Sequence, residues 1–145
     1  MKKLFRKIEE KQNNNEIYFN SQIYDAYSKI LDIFQSANKK LVIIDMYADK
    51  LILDIIKKLN INVIIITKSN NLLTNQDISK YNMQYHNLKV VFNNNFHDRY
   101  FILDNNIVYH CGASINRIGY KTFSINLIND KDVSLSLVSK VNSII

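Results

Sequence analysis

The sequence predicts an α/β protein: a mixed β-sheet with helices on both faces, a three-layer sandwich. Three observations carry that expectation. Leu41 to Tyr47 and Ile61 to Thr67 are near-continuous apolar runs, the pattern of strands buried on both faces. Segments with apolar residues at helical spacing alternate with them, which makes βαβ units and a parallel sheet. A short polar turn, Asp104-Asn105-Asn106, then joins two strand-like runs and adds an antiparallel hairpin.

In chain order, residues 1–12 read as a short amphipathic helix with Leu4, Phe5 and Ile8 among lysines and glutamates, broken by Asn13-Asn14-Asn15. Residues 1–15 are therefore expected to be a basic arm, and 16–145 one domain. Ile17-Tyr18-Phe19 is a short strand. Asn20 or Ser21 caps a helix reaching Ala37, with Ile23, Tyr27, Ile30, Leu31 and Phe34 at helical spacing. After the first central strand, Ala48 to Asn60 is an amphipathic helix. Leu72 to His86 follows the second central strand as a polar helix, and Leu88 to Phe92 is a strand. Tyr100 to Leu103 and Ile107 to Cys111 form the hairpin. A loop over Gly112 to Lys121 leads to a last strand, Phe123 to Ile128. Asp130 to Ile145 closes the chain as a helix with Val133, Leu137, Val138 and Val141 on one side. Functional residues are expected at one edge of the sheet, where central strands end and loops begin.

Composition narrows the class. The 145 residues suffice for one domain with a real core, and 47% hydrophobic and 22% charged residues are ordinary for a globular chain. A net charge of +6 favours polyanionic partners, but residues 1–12 carry five basic and two acidic side chains, so half of the excess is terminal. One cysteine, Cys111, allows no intrachain disulfide and supplies no metal-ligand set, which fits a reducing cytoplasm and calls for neither metal nor cofactor. No apolar run reaches the ~20 residues of a membrane span, so no membrane partner is expected.

The chemistry concentrates between His97 and Ser114. His97 and Arg99 are two apart on a run with strand-like alternation, so both face one side while Asp98 faces away. An imidazole beside a fixed cation suits phosphate chemistry: the ring can attack phosphorus or carry a proton, and the cation holds the oxyanion. Gly112 follows the second hairpin strand and lets backbone come close to a ligand. His110, within that strand, reads as packing or surface, and His86 as incidental.

This stretch, H-D-R-Y-F-I-L-D followed by Y-H-C-G-A-S-I, resembles the HxKxxxxDxxxxxxGSxN signature of the phospholipase D-like phosphodiesterases and nucleases. It resembles most the small phospholipase D-like domain of phage and bacterial mobile-element proteins, over about Ile17 to Ile128. The resemblance implies the same α/β architecture and nominates His97, Arg99 and Asp104 as the catalytic set. His97 is then the nucleophile that forms a phosphohistidine, Arg99 stands where the family has Lys, and Asp104 fixes a turn or a neighbouring donor. Arg99, Gly112, Ser114 and Asn116 are the expected phosphate-binding residues.

Two departures stand out. Without a gap, Cys111, Gly112 and Ser114 fall on the Gly, Ser and Asn of GSxN. With one residue inserted, Gly112 is the Gly and Ile115 falls on the Asn. Ser114 then reads either as a phosphate donor or as a cap after Gly112. The acidic residue that orients the nucleophilic His has no counterpart, since Ser124 and Asn126 occupy its neighbourhood. Asp45, at a strand end, is expected near the site as a loop-positioning residue.

The family site uses two motif copies, and this chain has one, so the resemblance implies a homodimer pairing two His97 residues. A phosphodiesterase acting on nucleic acid, and a degenerate domain serving as a nucleic-acid- or phosphate-binding dimerisation module, both remain open at this point.

Overall fold

A computed structural model describes residues 15–69 and 72–145; the helix expected over residues 1–12 lies outside them. Seven strands form one mixed sheet in the order β1-β7-β6-β5-β2-β3-β4. They are β1 (Asn15–Tyr18), β2 (Lys40–Ile44), β3 (Asn62–Thr67), β4 (Leu88–Phe92), β5 (Arg99–Leu103), β6 (Ile107–Cys111) and β7 (Phe123–Leu127). Strands β2, β3 and β4 are parallel. Strand β5 is antiparallel to β2, and β6, β7 and β1 continue antiparallel outward. The α/β sandwich predicted from sequence is thus the observed architecture.

Helices α1 (Ile23–Gln35), α2 (Lys50–Ile56), α3 (Asn75–Tyr85) and α4 (Lys131–Asn142) cover the sheet unequally. Ala26, Ile30, Ile33 and Phe34 of α1, Ile52, Ile55 and Ile56 of α2, and Tyr81 of α3 share one core with Leu41, Ile43, Val63, Ile65, Phe101 and Leu103. On the other face α4 places Val138 and Val141 on Val42, Ile44, Ile64, Ile66, Ile102 and Val108. Alternation along β2 and β3 sends successive side chains into these two cores, which explains why both strands are apolar throughout. Phe34 meets Phe101 edge to face at 4.9 Å, a geometry that adds about 1 kcal/mol to the burial of the rings.

Several boundaries differ from the sequence reading. Strand β2 stops at Ile44, because Asp45 turns the chain. Gln22, not Asn20 or Ser21, precedes α1, and its side chain accepts from Phe19 N; Ser21 sits in the left-handed region at φ 76°. Helix α2 is only seven residues, capped by Asp49, whose carboxylate accepts from Leu51 N. Helix α3 starts after a capping box of Thr74 and Asp77. In α4, Ser134 is buried while Val133 is exposed, since the helix turns one position further than apolar spacing suggests. The hairpin turn takes Asp104 and Asn105 through φ 55° each, the sign that a tight I′ turn needs and that Asp and Asn tolerate.

Candidate active site

The sheet has one edge where β2, β3 and β4 end, β5 and β7 begin, and β6 finishes. A cross-strand row runs along it. Thr67 pairs with Phe92, Arg99 with Cys111, Cys111 with Ile125, and Ile125 with Glu16. Extending the pairings of Ile44 with Ile66 and with Tyr100 by one residue places Asp45 between Thr67 and Arg99.

His97 lies at this edge, exposed, on the bend that leads into β5 rather than inside the strand. Strict alternation therefore does not reach it, and the bend sets its direction. Arg99 opens β5, half-buried. Its Nε donates to Cys111 O at 3.3 Å and its Nη2 to Gly112 O at 2.8 Å, so the guanidinium ties down the chain where β6 runs out. The remaining guanidinium N–H groups are directed by that anchorage.

Of three further residues nominated for the site, Gly112 and Ser114 hydrogen-bond within the fold, whereas Asn116 does not. Gly112 N donates to Ser124 O at 2.9 Å, and a Cβ on Gly112 would stand 3.3 Å from the same oxygen. The close passage of β7 therefore leaves little room for a side chain at this position. Ser114 is buried and its hydroxyl lies 2.8 and 2.9 Å from the two Asp45 carboxylate oxygens, so its proton is taken. The hydroxyl expected to serve either as a phosphate donor or as a cap after Gly112 is thus paired with a carboxylate inside the fold. Asn116, in the 3₁₀ turn Ile115–Arg117, lines an apolar cavity of about 210 Å³ between α1 and α2 with Tyr27, Ile55 and Ile118. Its Oδ1 is buried there without a partner.

Asp104 leaves the site altogether. It sits at the opposite end of β5, roughly 17 Å along the strand at ~3.3 Å per residue. Its carboxylate accepts from Asn38 N at 2.9 Å, Lys39 N at 2.8 Å and Lys40 N at 3.1 Å. Those N–H groups, Asn38 first, hold its pKa below the ordinary carboxylate range. Asp104 thus ties the turn between β5 and β6 to the start of β2, the structural role expected for it, at the end of β5 away from His97 and Arg99.

Asp45 is the residue on which the edge is built. Fully buried, it accepts from Ser114 Oγ, from Ile115 N at 2.9 Å and from Tyr47 N at 3.0 Å. One carboxylate thereby joins the end of β2 to the segment after β6, the loop-positioning role expected from its place at a strand end. A buried carboxylate is tolerable only with such donors. Cys111, beside it, has its thiol pushed up to about 12, chiefly by burial, with a backbone hydrogen bond at Ala113 and the Arg99 charge pulling down and Asp45 adding to the rise.

Ser124 and Asn126, which stand where the resemblance sought an acidic partner for His97, do not face the Arg99 side of the sheet. Ile125, fully buried, fills the row position on the Arg99 side. Ser124 and Asn126 point to the other face, where Asn126 Nδ2 donates to Ser124 Oγ at 3.1 Å. That face also carries His110, whose Nε2 lies 3.6 Å from Asp98 Oδ2 and whose ring meets Tyr100 edge-on at 5.5 Å. His110 therefore does not share a face with Arg99. Among the described residues, no group of three or more His, Cys, Asp or Glu side chains is placed to hold a metal ion, and no helix is long and apolar enough to cross a membrane.

The sequence reading missed one pair at the edge. Tyr47, just past β2, is 48% exposed, and Lys68 Nζ, just past β3, stands 4.2 Å from its ring centroid.

Comparison with known proteins locates the architecture. No family model and no curated protein is matched. Among solved structures the chain is similar to NucT from Helicobacter pylori, at 19% identity and TM-score 0.66, over 90% of this chain and 94% of that one. It is also similar to TrmBL2, an archaeal chromatin protein, at 16% identity and TM-score 0.59, over 90% of this chain and 51% of that one. Phosphatidylserine synthase of Haemophilus influenzae matches at 20% identity and TM-score 0.60, over 90% of this chain and 36% of that one. The chain thus spans nearly all of NucT, about half of TrmBL2 and about a third of the synthase. At these identities the likeness is one of fold. NucT and the synthase are phospholipase D superfamily members, and the seven-stranded sheet described above has the phospholipase D-like fold.

Proposed function

We propose that the chain is a phospholipase D-like phosphodiesterase that acts on nucleic acid, with His97 as nucleophile and a site completed by pairing two copies. The observation that carries this reading is the placement of His97, exposed on the bend two residues ahead of the anchored Arg99 guanidinium. A ring nitrogen of His97 attacks phosphorus, and the P–O bond to the leaving strand breaks. The leaving oxygen takes its proton from the imidazolium of the second copy's His97. Water, giving a proton back to that imidazole, then displaces the phosphate from His97. Arg99 neutralises the charge that builds on the non-bridging oxygens. The likeness to NucT, a nuclease, and to TrmBL2, whose structure concerns DNA binding, supports nucleic acid as the polymer.

A second reading rests on a specific observation: Gly112 N and Ser114 Oγ, both nominated as phosphate donors, are spent inside the fold. In that reading the domain binds nucleic acid or phosphate as a dimerisation module without cleaving. Incubation with single- and double-stranded DNA and RNA in EDTA, beside His97→Ala, separates the two. Cleavage by wild type alone, with acid-labile phosphate trapped on His97, supports the enzyme. Equal binding and no cleavage by either protein supports the module. A monomer by light scattering removes the paired site.

A further inference from the structure

Resting on nucleic acid as the polymer, we propose that Tyr47 and Lys68 form a stacking platform for one unpaired nucleobase, which makes single strands the preferred ligand. The pair straddles the ends of β2 and β3, on the edge that also holds His97 and Arg99. Lys68 Nζ stands 4.2 Å over one side of the Tyr47 ring, and the ring is 48% exposed. A flat base fits the other side, because base–aromatic stacking needs only a π-face and accepts any base. The ammonium both strengthens the ring's hold and sets a charge beside the neighbouring phosphate.

An exposed tyrosine is ordinary by itself. Tyr47 differs in what fixes it. Its backbone N–H donates to the Asp45 carboxylate at 3.0 Å, the group that also holds Ser114 Oγ and Ile115 N. The platform and the segment after β6 are thus built on one buried anchor, with the strand end carrying Arg99 alongside. A ring carried on a backbone held in place has only its own two torsions to lose on stacking, the property that makes a contact worth having. Phe92, 41% exposed at the end of β4, extends the same edge with a second aromatic surface.

The test uses the full chain carrying His97→Ala, so that no ligand is cut, and a labelled 12-nucleotide single strand read by fluorescence anisotropy. Tyr47→Ala weakens binding about tenfold, within the span that one stacked base supplies, while Tyr47→Phe stays within about twofold. One abasic position in the strand costs about as much as Tyr47→Ala, and costs nothing further in that variant. Binding to a blunt duplex, whose bases are already stacked, is unchanged by Tyr47→Ala. Equal single-strand affinity for the Tyr47→Ala and tyrosine proteins, or additive losses at every abasic position, overturns the platform alone. Failure of the parent protein to bind any strand, single or double, overturns the proposed polymer as well.

Discussion

Replacing Asp45 with asparagine tests whether one carboxylate holds this edge together. The side chain is fully buried and receives three donors, Ser114 Oγ, Ile115 N and Tyr47 N, at 2.8 to 3.0 Å. Hydrogen bonds to a charged acceptor contribute about 1.5–3 kcal/mol each. Asparagine keeps one acceptor oxygen and turns an NH₂ toward a donor, so at least one bond is lost and one N–H is left facing another. Relief from burying a charge offsets part of this, and about 2–4 kcal/mol remains as the cost. With a urea m-value of about 2 kcal/mol/M, the midpoint falls by about 1–2 M. Ser114→Ala alone costs about 1–2 kcal/mol. If the hydroxyl acts through Asp45, the double variant loses less than the sum, by at least about 1 kcal/mol. Urea titrations of the four proteins read both quantities. A midpoint for Asp45→Asn within about 0.3 M of wild type, or strict additivity with Ser114→Ala, refutes the anchoring role.

Gly119 and Gly112 invert the usual order of importance. Gly119→Ala puts a Cβ 2.4 Å from Ile23 Cα at φ +84°, so it costs about 3 kcal/mol or more, whereas Gly112→Ala, 3.3 Å from Ser124 O, costs about 1; paired thermal melts in which Gly112→Ala is the worse variant contradict this. Asp104→Asn is less stable than wild type at pH 7. Because the folded pKa of Asp104 is depressed, wild type's advantage is complete above the unfolded value of ~4 and fades as pH falls through the folded one; an advantage that grows on acidification refutes it. Cys111, buried with its thiol pushed up to about 12, resists a thiol reagent at pH 8 until the chain is unfolded in urea, and rapid labelling of the native protein refutes that burial.

What sequence made legible was whatever depends on neighbours along the chain. Leu41 to Tyr47 and Ile61 to Thr67 read as central strands, and hold most of β2 and β3, because burial on both faces leaves no polar alternation to break the run. Asp104 and Asn105 read as a turn because both accept positive φ. The edge itself was legible as a location, since strands of a parallel core must end together. Its wiring was not. Ser114 finds its acceptor 69 residues away, and Tyr47 meets Lys68 only after a helical crossover brings β3 beside β2. Gly112 illustrates the limit well. A glycine at a strand end signals close approach, but which group approaches, ligand or the backbone of β7, is decided by topology.

The same wiring gives a reason for arginine at position 99, where the resembled signature has lysine. The chain after β6 lacks the motif's small residues in register, and Cys111 O and Gly112 O both turn toward β5. A lysine nitrogen at the end of a flexible stem can satisfy such carbonyls only by giving up its hold on an anion. A guanidinium divides the work. Nε and one Nη2 hydrogen bind the two carbonyls, and the remaining N–H groups stay in the rigid plane those bonds define. Arginine at this position thereby ties down, from the β5 side, the segment that Asp45 holds from the β2 side. In the proposed function the phosphate grip of the edge would come from the residue that closes β5 onto β6, so a change that frees Arg99 from the carbonyls is expected to loosen the loop and weaken the grip together.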